Sequence, residues 1–159
     1  MGSIYFKRGE LHLAIADMAY VIADVAAAKV DAHTLHQTFD ICQGNNLERI
    51  DNLLTLAFTE VSQALSPITL PIPESRLSKR GGQIPLLLKF KDGCVSTPRL
   101  LRIREAVREF LIARALAGWL SVTLPAAAAT WDERASLLLP TLAHSLAGQV
   151  VVRRESSPF

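Results

Sequence analysis

Residues 97–123 read TPRLLRIREAVREFLIARALAGWLSVT. Thr97 has the side chain of a helix cap, and Pro98 follows at a first-turn position, where a missing N–H costs nothing. Leu100, Ile103, Val107, Phe110, Leu111, Ala117 and Leu120 then recur at helical spacing, so one helix is expected over the whole stretch. Arg99, Arg102, Arg108 and Glu109 fall mainly outside that apolar face. Trp119 is expected to anchor the helix against a neighbour. Leu124-Pro125 stops it.

Working outward from this helix, the chain is punctuated into more helices. Leu11, Ile15, Met18, Ile22 and Val25 form a helical stripe within about Gly9–Lys29. Leu13, Ala14, Val21 and Ala26 widen it, which predicts burial on more than one side. Asp31 is the expected N-cap of a second helix, Ala32 to about Gln43, closed by Gly44-Asn45. A third helix, Leu47–Leu65, follows from Leu47, Ile50, Leu53, Leu54, Ala57, Phe58, Val61 and Leu65. After the central helix, Ala126–Leu146 is expected as the last, with a kink or break near Leu139 because Pro140 lies inside it. Gly148 closes it.

The segment 66–83 breaks this rhythm. Pro67, Pro71, Pro73 and Gly81-Gly82 predict an irregular connection without regular helix. Ile84–Phe90 then reads as a strand, placed at a sheet edge by Pro85. Lys91-Asp92-Gly93 suits a hairpin turn, and Cys94-Val95-Ser96 is the expected return strand. Such a hairpin is marginal alone and must lie on the helices or pair elsewhere. The fold expected is therefore mainly α, a bundle of four to five helices with a short β-hairpin inserted before the central one. It forms a single domain over 1–159, with 66–96 as a Pro/Gly-rich loop and hairpin insertion and 149–159 as an extended C-terminal arm.

Composition narrows the function classes. Half of the 159 residues are apolar, which argues against disorder, and the length suffices for a sizeable core. No apolar run approaches the roughly 20 residues of a membrane span. The start, Met1-Gly2-Ser3-Ile4-Tyr5-Phe6, lacks the pattern of a signal peptide, and Phe6 stands where a myristoylation signal wants Ser or Thr. A cytoplasmic product is expected, with Cys42 and Cys94 as reduced thiols. Net charge is +2, yet residues 1–75 hold four basic and nine acidic residues, while 76–114 hold ten basic and three acidic. An acidic half and a basic middle can complement each other within one molecule or between neighbours.

Four chemistries are conceivable from these residues. His33, His36 and Asp40 share one helix face and could ligate a transition metal in a small metal-dependent enzyme. They match neither HExxH nor zinc-finger spacing, so local hydrogen bonds are the expected role and no cofactor is expected. Cys94 with a histidine has no supporting signature as a nucleophile pair. Gly81-Gly82 after Lys79-Arg80 lacks the GxxxxGK[ST] of a phosphate loop. Nucleic-acid binding through the basic region 76–114 is the stronger alternative. Against it stand an aromatic content of 6% and the absence of helix-turn-helix spacing.

Three segments carry a family resemblance: LHLAIADMAYVIADV (11–25), HTLHQTFDICQGNNLERIDNLLTLAFTEV (33–61) and REFLIARALAGWLSVTLPAAAATWDERA (108–135). Together they resemble small helical structural proteins of contractile-tailed phage and prophage gene clusters, of the head–tail connector or tail-completion kind. The resemblance implies a ring-forming or tail-associated subunit without enzyme activity, located in the cytoplasm or the virion. Its implied partners are copies of itself and other virion-type proteins, with no membrane. It transfers no site residues. The residues themselves nominate Arg76, Lys79, Arg80, Lys89, Lys91, Arg99 and Arg102 as interface candidates.

Overall fold

The computed structural model describes residues 2–28, 31–41, 43–66, 68–77, 82–89 and 95–147. The fold is mainly helical with a two-stranded antiparallel sheet. In chain order it runs β1 (Gly2–Lys7), α1 (Arg8–Ala26), α2 (Ala32–Phe39), α3 (Asn46–Ala64), α4 (Glu74–Leu77), β2 (Gln83–Leu88), α5 (Thr97–Thr123) and α6 (Pro125–Ala147).

Helix α5 is the hub. Ser96, in extended backbone, is its N-cap, one residue before the Thr97 expected to cap it. The Ser96 carbonyl accepts from the amides of Arg99 and Leu100 at 3.0 and 3.1 Å. The expected core positions Ile103, Val107, Phe110, Leu111, Ala117 and Leu120 are buried, and Leu100 is half-buried. From Phe110 onward Ile112, Ala113, Ala115, Leu116 and Trp119 are buried as well. Apolar residues on nearly every side mark a helix wrapped by neighbours. These are α6, which shares the most extensive interface with it, then α3 and α1. Gly118 permits the close approach of α3: a Cβ there would stand 2.6 Å from Leu53 Cδ2.

The strand expected at 84–90 forms over Gln83–Leu88, and its partner is β1 rather than the expected return strand, of which Val95 and Ser96 are described. Tyr5 lies opposite Pro85, and Ile4 opposite Leu86. Val95 is in a bend and Ser96 caps α5. The turn Lys91–Gly93, Phe90 and Cys94 lie outside the described residues. The physical reason is burial: Ile4, Phe6, Ile84, Leu86 and Leu88 form one apolar sheet face on the helices, and Phe6 meets Phe58 edge-on at 5.5 Å. A partner alternating apolar and polar, such as 2–7, supplies that face. On its other edge β2 is met by 68–70, since the Leu70 amide donates to the Leu87 carbonyl and the Lys89 amide to that of Ile68. Residues 87 and 89 thus turn their polar groups away from β1. Pro85 shares their parity, so its missing N–H removes no bond from the β1 ladder.

Four further expectations are corrected. Segment 66–83 holds one helical turn, α4, and a Thr69–Leu88 bridge, because Pro73 can precede a turn that Pro71 could not continue. Helix α2 ends at Phe39 rather than near Gln43, after which fully buried Ile41 draws the chain inward. Gly44, at φ 53°, makes the turn into α3. Helix α6 runs through Pro140 without a break, held along its length against α5. Helix α1 is buried on one side only, by Arg8, Leu11, Ile15, Ala19 and Ala23. Small alanines let it approach the core closely, and Leu13, Val21 and Val25 are thereby turned outward. Gly148 and the arm 149–159 lie outside the described residues.

Candidate functional site

The nominated interface residues do not gather into one patch. Arg76 belongs to α4, and Lys79, Arg80 and Lys91 lie outside the described residues. Lys89 is exposed, and its Nζ donates to the Ser66 carbonyl at 2.9 Å. Arg99 is half-buried and Arg102 exposed in the first turns of α5. Among the described residues neither makes an ion pair, and the same holds for Arg104 and Arg108. The lower half of α5 differs: Arg114 bridges Glu60 of α3 and Asp132 of α6. Glu109 pairs with Arg134 of α6 rather than with a neighbour on its own helix.

The histidine cluster separates into local contacts. His33 Nε2 faces Gln37 Nε2 at 3.1 Å, and His36 Nδ1 stands 3.4 Å from Asp40 Oδ2 at an exposed position. Among the described residues no group of three His, Cys, Asp or Glu side chains could hold a metal, and Cys42 lies outside them. Asp31, the expected N-cap of α2, accepts a hydrogen bond from the Thr34 hydroxyl. That bond holds its carboxyl below the usual value.

Sequence reasoning missed the most buried polar network. Arg8, 2% exposed, donates from Nη1 to Asp51 Oδ1 at 3.1 Å and from Nη2 to Thr55 Oγ1 at 3.3 Å and to the Leu77 carbonyl. His12 Nε2 lies 2.7 Å from the same Asp51 oxygen. The available signal was the i, i+4 spacing of Arg8 and His12 on the inward stripe of α1. The network ties α1, α3 and α4 together.

The second missed feature is an apolar surface. Among the described residues half of the exposed large apolar side chains sit on α1: Leu13, Met18, Tyr20, Val21 and Val25. Leu13 is 68% and Val25 77% exposed. Asp17 and Asp24 are exposed within the same stripe and make no ion pair among the described residues. Tyr20 borders the stripe on the α2 side, its ring 5.1 Å from that of Phe39. Met18 borders it on the other side, where it lines a cleft of about 250 Å³ with Glu105, Arg108, Ile112, Trp131 and Arg134.

Two larger clefts, of about 350 and 500 Å³, meet at Arg114 between α3 and α6. Their linings are apolar apart from Glu60, Arg114, Asp132 and two serines. The ion triad occupies the meeting point, where Arg114 pairs with both acids of the lining. A fourth cleft holds Trp119, with Arg49 above the indole at 5.2 Å. Trp119 thus anchors α5 on the α2–α3 side rather than on α6.

Comparison with family models, with curated proteins and with solved structures finds no match for this chain. No helix among the described residues is long and apolar enough to cross a membrane. The geometry alone therefore carries the functional reading.

Proposed function

We propose that this protein is a non-enzymatic structural subunit that acts through protein–protein contacts, as a head–tail or tail-completion component of a tailed phage or prophage would. The observation that carries the reading is the exposed apolar stripe of α1. Lone surface apolar residues need no explanation, but several contiguous ones on one element mark a contact site. The uneven charge adds to it: acids without ion partners among the described residues accompany the stripe, and arginines of the same kind occupy the start of α5. The resemblance of 11–25, 33–61 and 108–135 to small phage assembly proteins gives the reading its biological setting.

The arginines of α5 also keep nucleic-acid binding as a second reading, since unpaired guanidinium groups can contact phosphates. Size-exclusion chromatography with light scattering, at low and high salt, tests the first. The expected result is a mass above one copy at low salt that falls as salt screens the charges. A single copy at every salt, together with a salt-sensitive shift of duplex DNA, would instead select the second.

A further inference from the structure

We infer that the stripe of α1 docks on the first half of α5 in a second copy of this chain, and reciprocally, so that two copies pair about a two-fold axis. The inference rests on the assembly reading above and names its partner and geometry.

Two surfaces must match. The first is Leu13, Asp17, Tyr20, Val21, Asp24 and Val25, which recur at steps of three and four along one side of α1. All six are exposed, and the two carboxylates lack ion partners among the described residues. The second is Leu101, Glu105, Arg108 and Ile112, which recur at steps of four, three and four along one side of α5. Leu101 is 53% exposed. Arg102 and Arg104 flank this row, and with Arg108 they lack ion partners among the described residues. One surface is apolar and acidic; the other carries three arginines against the single Glu105, with Leu101 exposed and Ile112 buried at its base.

Their placement decides the symmetry. Met18 of α1 and Glu105, Arg108 and Ile112 of α5 line the same cleft, so the two surfaces adjoin across it. Because the two surfaces adjoin, one copy presents both to a second copy at once, and a reciprocal contact of that kind is isologous and closed by a two-fold. Each α1 then covers the α5 row of the other copy. The carboxylates of Asp17 and Asp24 meet guanidinium groups that lack ion partners among the described residues of their own subunit. Leu13, Tyr20, Val21 and Val25 of one copy and Leu101 of the other leave water together, which adds to the charge pairing.

The test is a charge swap on the full chain, read by light scattering after size exclusion at low salt, with circular dichroism as the check on folding. The parent is expected at the mass of two copies. Asp17→Arg with Asp24→Arg, and separately Arg102→Glu with Arg108→Glu, are each expected to run as single copies, because both halves of the contact then repel. An equimolar mixture of the two variants is expected to return to the mass of two copies, since each half again joins opposite charges. Val25→Lys, at the most exposed apolar position, is an independent probe expected to weaken pairing at least tenfold.

A parent that stays a single copy overturns both this inference and the assembly reading. A parent that associates, with pairing indifferent to the α1 changes or to Val25→Lys, overturns the inference alone. So does a mixture of folded variants that stays monomeric, or a parent mass beyond two copies.

Discussion

Arg8 brings a guanidinium into the core, and its position shows how one residue can organise three elements. A buried charge is tolerable only when its donors are satisfied. Asp51 takes one terminal nitrogen, Thr55 and the Leu77 carbonyl the other, and among the described residues the buried Nε has no hydrogen-bond partner. Removing Asp51 strands the cation at 2% exposure. Asp51→Ala is therefore expected to lose about 3 kcal/mol or more in urea unfolding. Arg8→Met, which removes the charge and keeps the apolar stem, is expected to lose less. A loss below about 1 kcal/mol for Asp51→Ala would show that Thr55 and Leu77 suffice to hold the guanidinium. The sequence marked Arg8 only as a charge near the start of α1. Its inward direction depends on where α1 begins, a boundary set by the turn from β1.

The elements show which local rules survive tertiary packing. Helix α5 was legible to its last residue, because its apolar period, early proline and terminating Leu124-Pro125 all agree. The break expected in α6 did not appear: helix continues through Pro140, which is exposed at the rim of the cleft beside Phe110 and Arg114. Proline removes the hydrogen bond to the Ser136 carbonyl and costs about 3 kcal/mol in a helix interior. It also restricts the unfolded chain, which returns part of that cost. Pro140→Ala is accordingly expected to raise stability by about 1–2 kcal/mol, read as a higher denaturation midpoint. A lowered midpoint would mean that α6 needs the proline's shape to follow α5. The strand pairing was legible in half: 83–88 reads as a strand from its own residues. Its partner 2–7 lies more than 75 positions away in sequence, and no local pattern encodes such a pairing.

Across the whole molecule the charge asymmetry of the sequence becomes geometry. Arg114 and Arg134 are absorbed by Glu60, Asp132 and Glu109, and so stitch α3, α5 and α6. Arg99, Arg102, Arg104 and Arg108 are not absorbed by any described residue. Reversing Arg99 and Arg102 to glutamate is thus expected to change unfolding free energy by no more than about 0.5 kcal/mol, while it weakens association at low salt. A fall of several degrees in melting temperature would instead place those arginines in the internal support of α5. The candidate surface was half visible beforehand. The basic region was counted from the sequence, but Leu13, Met18, Val21 and Val25 of α1 were assigned to its buried face, because they obey the same helical period as the buried residues.

By itself the sequence determined the helical class, the extent of α5 and the imbalance of charge, since these follow from local periodicity, capping chemistry and composition. Tertiary structure alone decided which side of α1 is covered, which strand joins β2, and which arginines remain unpaired. Those outcomes depend on contacts between residues far apart in the chain. Burial is shared among whole faces, and no single segment carries the information about which of its sides the others will cover.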